Sequence, residues 1–409
     1  MRSWRGAVLV WMLSLLLGAS CRYILGESDE QFFDQARQFA AANRFVEAET
    51  SLRRLLAREP NRTDARLLLG KLAHDRNDWA TVAAAFHGVS DSDPMAGSIR
   101  VAEGDAWLKL NRAVLAEDCW SRAYRLSPED PQPRLRLIYL YGLQLRREPW
   151  MKLLWELYDR NQAGMREMVQ LMIASHVVWE ADEAVREVRR FAASDPDDFH
   201  SRRAVAEYLL LAGQIPEAIR ELESLLQAHP NNVEAWLAMV ECHVARADNE
   251  SARKCLDQMP ESAQDDYRFW KSQGSLALLD RRVDDSVSDF AKALAQAPFD
   301  RELHHKIAQS LRLVGDFDSA ERHAQIAGKL AKIHRLCHSL HHERSSSKAE
   351  ILRLVQLCEE LELIEEARGW IKVGLEIDRT DTNLLVAQNR LSELPATSSR
   401  HPPVWEDPQ

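Results

Sequence analysis

Between Ser98 and Pro128 the small and apolar positions fall into two short runs of helical period, joined by a tight polar turn. Gly104 and Trp107 mark the first run; Ala116, Trp120 and Ala123 mark the second, and Pro128 ends it. Small residues where two helices cross let their axes approach, and aromatic rings fill the wedge beside them. The stretch therefore predicts a pair of amphipathic helices packed against each other.

The same pattern recurs along the chain. Pro60, Pro94, Pro128, Pro196, Pro230 and Pro298 are all separated by whole multiples of 34 residues. In that frame a small residue of the second helix returns as Ala48, Ala116, Ala184, Ala218, Ala252 and Ala320, with Val82, Trp150 and Ser286 as departures. Four places later stands a large residue: Leu52, Phe86, Trp120, Leu154, Val188, Leu222, Leu256 or Phe290. Nine contiguous units fit residues 29–334, starting at Asp29, Thr63, Gly97, Pro131, Met165, Phe199, Val233, Tyr267 and Arg301. The fourth deviates most, with Ile138 and Trp150 at small-residue positions and Gln162 in place of proline. Bulk at the close-approach point should push its two helices apart.

The spacing from Gly104 to Trp107, and then through Ala116, Trp120 and Ala123 to Pro128, resembles the tetratricopeptide repeat. The resemblance implies an all-α, right-handed superhelical solenoid of about ten tetratricopeptide-like helix–turn–helix units. It also implies a non-catalytic scaffold that binds other proteins. In that family positions 2, 5, 9, 12 and 13 of each unit line a concave groove. Carried onto units four and five, those positions include Leu135, Tyr139, Leu143, Arg166, Val169, Ile173 and His176, an apolar patch suited to a partner's extended segment or amphipathic helix. Elsewhere the same positions hold Lys71, Asp75, Arg203, Glu207, Lys271 and His305. Lys71, Lys271 and Lys306 lack the paired asparagines of a two-carboxylate clamp.

The ends of the chain stand outside the frame. Residues 1–25 combine Arg2 and Arg5 with an apolar run, Ala7–Leu17, and small residues before Cys21. That pattern reads as a signal peptide or an N-terminal membrane anchor. Gly18-Ala19-Ser20-Cys21 also resembles a bacterial lipobox, with Cys21 as the lipidated residue, although Gly18 stands where leucine is usual. The expected location is extracytoplasmic, with a possible tether through residues 7–25. Residues 335–347 break the frame as an insertion or linker, 348–381 form a tenth unit, 382–394 a capping helix and 395–409 a disordered tail.

Charge and chemistry narrow the function further. The net charge of −10 is spread over interspersed signs without a basic stripe, which argues against nucleic acid as a partner. No nucleotide loop, nucleophile elbow or metalloprotease helix is present, so neither catalysis nor a cofactor is expected. The sharpest alternative is a metal-binding or sensory accessory role for His334, Cys337, His338 and His341. Imidazole and thiolate at helical spacing can hold Zn²⁺ or Cu. The six cysteines show no framework spacing, and the bland reading is buried thiols.

Overall fold

Helix starts follow the rhythm of the sequence. In the computed structural model, which describes residues 28–173, 181–342 and 347–394, every regular element is helical. Second helices begin at Phe45, Trp79, Ala113, Arg147, Ala181, Ile215, Asn249, Val283 and Phe317, a spacing of 34 throughout. First helices begin at Asp29, Thr63, Ala96, Pro131, Met165, Phe199, Val233, Tyr267 and Arg301, only Ala96 being displaced by one residue. Lys348–Glu360 and Ile364–Ile377 form a further pair, and Thr382–Ser392 packs on the latter. The fold is a helical repeat solenoid. The described residues divide into two compact units between Pro133 and Arg134.

Local chemistry sets the boundaries of these helices. Ser28 accepts from the Gln31 amide at 3.2 Å while the Gln31 side chain accepts from the Ser28 amide at 2.8 Å, a reciprocal cap. Asp198, Asn232, Asp248 and Asp300 each accept from the backbone three residues on, satisfying a donor that the first helical turn would leave unpaired. Within pairs, the reversal turns on one left-handed residue: Asn43, Asn77, Asn111, Leu145, Gly213, Ala247, Arg281 and Gly315, again on a 34-residue beat. Asparagine and glycine suit that conformation; Leu145, Ala247 and Arg281 adopt it against their side-chain preference.

Close packing inside a pair depends on the glycines at the crossing. A Cβ on Gly70 would sit 2.2 Å from the Phe86 ring, one on Gly104 2.4 Å from the Trp120 indole, and one on Gly274 2.8 Å from the Phe290 ring. The ring fills the space that a side chain would have taken.

Successive pairs are also fastened by a bond that no repeated letter announces. In several pairs the side chain at the fourth position of the first helix donates to the carbonyl six residues earlier, just before that helix. Arg66 reaches the Pro60 carbonyl at 2.7 Å, Trp236 that of Pro230 at 2.7 Å, Trp270 that of Gln264 at 2.9 Å and His304 that of Pro298 at 2.8 Å. Arg202 makes a longer contact of the same kind to Pro196. Because a carbonyl only accepts, His304 carries its proton on Nε2, and its Nδ1 accepts from His323 at 2.8 Å. Burial, with the neighbouring His323, pushes the His304 pKa down to about 4.

In the second unit the row closes on itself. Met165–Met172 is only eight residues long and packs against Arg147–Asp159, Phe317–His342 and Ile364–Ile377. The turn after Pro131–Leu143 meets Phe199–Leu211. There Tyr208 donates to the Leu143 carbonyl at 3.2 Å, and Arg203 to the carbonyls of Gln144 and Leu145 at 2.8 and 3.3 Å. Gln144 donates to Ser201 Oγ at 3.0 Å, and Gln144 and Leu145 are both buried. The deviant fourth pair is thus where the row engages a non-neighbour. Trp150, at its small-residue position, is buried at 1% exposure.

Candidate functional site: an inner cavity on four first helices

Four first helices of the second unit, Phe199–Leu211, Val233–Ala245, Tyr267–Leu279 and Arg301–Val314, line a cavity of about 300 Å³. One wall is apolar: Leu210, Leu211, Val244 and Ala245. The other is polar and charged: Glu241, Arg268, Lys271, Ser272, Ser275, Glu302 and Lys306. Nine of these eleven residues occupy positions 2, 5, 9, 12 or 13 of their helix pair and Ser272 the sixth, so the repeat itself delivers them to one face. Lys306 stands at the sixth position beside His305.

The charged wall is held in place by ion pairs. Arg268 grips Asp266 through two donors, Nε to Oδ1 at 2.9 Å and Nη2 to Oδ2 at 2.6 Å. Lys271 contacts Glu302 and lies 3.8 Å from Asp300, while Lys306 lies 3.1 Å from Glu302. Below them Arg203 is buried against Glu207, and its Nε stands 3.1 Å from Glu234. Burial alone would raise the pKa values of Asp266 and Glu234. The surrounding cations, Arg268 beside Asp266 and Arg203 with Arg268 beside Glu234, outweigh it and hold both carboxyls below their ordinary range. Burial would likewise lower Arg268, but Asp266, Glu234 and Glu241 hold it well above its ordinary value. Asp266 and Glu234 therefore stay ionised and acceptor-only, which suits recognition.

The residues expected to line the groove of units four and five are placed differently. Leu143, Val169 and Ile173 are buried at 2% exposure or less, covered by the chain's own helices, and so line no open groove. Leu135 and Tyr139 are half-buried, and Tyr139 donates to Glu187 at 2.8 Å. Arg166 is exposed, and His176 lies outside the described residues, as do Cys21, the rest of residues 1–25 and the 395–409 tail. Arg203 and Glu207 are also taken up internally. Lys271, Lys306 and Ser275 do come together in the cavity, but Ser275 donates to the Lys271 carbonyl at 2.7 Å and both lysines are tied to Glu302.

The histidine–cysteine cluster is split by the helix that carries it. Phe317–His342 runs for 26 residues. Cys337 is fully buried on its core side, and burial pushes the thiol far above its ordinary range. His338 is exposed, and the rings of His334 and His338 stand 6.3 Å apart. Among the described residues no group of three or more His, Cys, Asp or Glu side chains is arranged to hold a metal ion. Cys119, Cys242, Cys255 and Cys358 are likewise buried free thiols, and burial pushes Cys255 up to about 11 and Cys242 up to about 12.

One tetratricopeptide-repeat model matches residues 209–276, and a second matches residues 33–86 and 180–233. A search of curated protein sequences found no match. Among solved structures, that of the APC/C hetero-tetramer Cut9-Hcn1 is 14% identical over 96% of this chain and 90% of its own, with a TM-score of 0.32. That of Pseudomonas aeruginosa pilF is 13% identical over 61% of this chain and 99% of its own, at 0.33. A tetratricopeptide repeat protein from Parabacteroides merdae is 13% identical over 70% and 100%, at 0.31. TM-scores this low establish no detailed correspondence.

Proposed function

Because this chain belongs to the tetratricopeptide-repeat family, we propose that it is a non-catalytic protein-interaction scaffold that seats a partner's extended segment in the cavity of residues 199–314. The observation that supports this most is a lining that is apolar where Phe199–Leu211 and Val233–Ala245 end and charged along Tyr267–Leu279 and Arg301–Val314. A peptide backbone laid along it can place an apolar side chain against Leu211 and Val244 and a polar one against Lys271 and Glu302. The volume suits a few side chains rather than a whole helix. Peptides selected from a displayed random library against the purified full chain supply a probe. Val244→Asp and Lys271→Glu should each weaken their binding by about tenfold or more, since a desolvated hot spot is worth at least 1.4 kcal/mol. Equal affinity for wild type and both variants would refute the seat.

The scaffold is proposed to act outside the cytoplasm, held at a membrane by residues 7–25. The charged start and apolar run of that segment support this reading. Among the described residues no helix is long and apolar enough to cross a membrane. Deletion of residues 2–25 should move the protein from the membrane to the soluble fraction on cell fractionation, and an unchanged distribution would refute the tether.

A further inference from the structure

The face of Met165–Met172 that would be open in a simple row of pairs is covered by the tenth pair together with Phe317–His342. Met168, Val169, Met172 and Ile173 are each 3% exposed or less. The covering helix, Ile364–Ile377, is matched at three points to residues 158–168. The Tyr158 hydroxyl donates to the Glu365 carboxylate and meets its backbone carbonyl, both at 3.0 Å. Gly369 lies against Met168 so closely that a Cβ there would stand 2.4 Å from Met168 Cε and 3.1 Å from the Tyr158 ring. Lys372 donates to the Asn161 carbonyl at 3.0 Å. One helix face therefore carries an acid, a small residue four places on and a cation three places after that. The receiving face supplies a hydroxyl, a methionine and a carbonyl in the same order.

We infer that residues 147–173 form a receptor for an amphipathic helix with the pattern Glu-x3-Gly-x2-Lys, and that the chain's own tenth pair occupies it as a latch. A partner helix of that pattern competes with the latch, so engagement of the partner and opening of the ring are one event. The inference uses a different surface from the cavity of residues 199–314 and rests on the scaffold reading only for its biological use. Contacts made in place by this chain define the chemistry of the occupant: a carboxylate within reach of Tyr158, no side chain opposite Met168, and an ammonium within reach of the Asn161 carbonyl.

The test uses the full chain with Gly369→Leu, which adds bulk opposite Met168 while favouring the helix that bears it. A fluorescent peptide of residues 362–378 is the probe. Hydrogen exchange in residues 165–172 should quicken about tenfold or more in the variant while residues 215–296 keep their protection. The peptide should bind the variant about tenfold more tightly than it binds wild type, because the receptor is no longer occupied in cis. The same peptide carrying Gly369→Leu should bind neither. If Gly369→Leu unfolds the tenth pair, Tyr158→Phe with Lys372→Ala removes the polar contacts without adding bulk and should give the same local exchange. Unchanged exchange in both variants, exchange that rises throughout residues 181–377, or equal peptide binding by variant and wild type overturns the latch. The deciding readouts, exchange in residues 165–172 and binding of the 362–378 peptide, lie outside the cavity of residues 199–314, so failure here and failure there are separable.

Discussion

Arg100→Ala should destabilise the first unit by about 3–5 kcal/mol, the cost of stripping one member from a buried ion pair. Arg100 is 1% exposed and binds four acceptors. Its Nε donates to Asp91 at 2.8 Å, Nη1 to the Phe86 carbonyl at 2.9 Å and to Glu103, and Nη2 to the Val89 carbonyl. Those carbonyls end helix Trp79–His87 and begin the loop after it, so a single guanidinium ties the second pair to the third. Alanine would leave Glu103, which is fully buried, without its guanidinium, keeping the His87 contact at 3.0 Å and the Cys119 thiol. Asp91 keeps Arg122, at 2.8 Å. Urea unfolding followed by hydrogen exchange over residues 63–126 measures the loss. Arg100→Met combined with Glu103→Leu should recover most of it, because replacing both charges with apolar groups removes the stranded carboxylate. A loss below about 1 kcal/mol for Arg100→Ala would show that the pair contributes no more than a surface bridge.

The tenth pair should weaken by about 3 kcal/mol as pH rises from 4.5 to 8.5, because burial pushes the Glu366 carboxyl up to about 7. Glu366 is 5% exposed, and the neighbouring Glu365 charge adds to the effect of burial. A carboxyl whose folded pKa exceeds its unfolded one contributes stability that is complete below the unfolded value. That stability is lost as pH rises through the folded one, since the unfolded chain then binds fewer protons than the native state. Glu366→Gln should abolish this slope for residues 348–377 in hydrogen exchange recorded across the pH range. A parallel slope in wild type and variant would sink the assignment. Residues 199–296 provide the internal control.

Much of this architecture was legible in the residues, and the reasons are local. The glycine–aromatic crossings of Gly104 with Trp120 and Gly274 with Phe290 repeat as letters, because only glycine admits a ring so near the backbone. Proline and small residues mark the pair boundaries for similar reasons of sterics. The junction bonds were invisible because arginine, tryptophan and histidine do one job at one position, and a donor nitrogen has no single letter. The closing of the second unit was hidden for a different reason. Val169 on the first helix and Ile173 just after it are apolar whether a partner covers them or residues 317–377 do, and periodicity cannot name the cover. The cluster from His334 to His341 illustrates the same limit: spacing places Cys337 near the histidines along the chain, and only packing shows that it faces the core.

Between Pro196 and His304 the donor side chains have a mechanical corollary. Four consecutive junctions are bolted there by Arg202, Trp236, Trp270 and His304, each gripping the carbonyl that ends the preceding pair. In a stacked array the strength of each interface relative to each module decides whether the array frays or breaks whole. With every joint in that stretch pinned, tension applied along it is handed from one hairpin to the next instead of being spent at the weakest. The segment then behaves as a stiff spring that resists stretching as a body, and it gives way in one step.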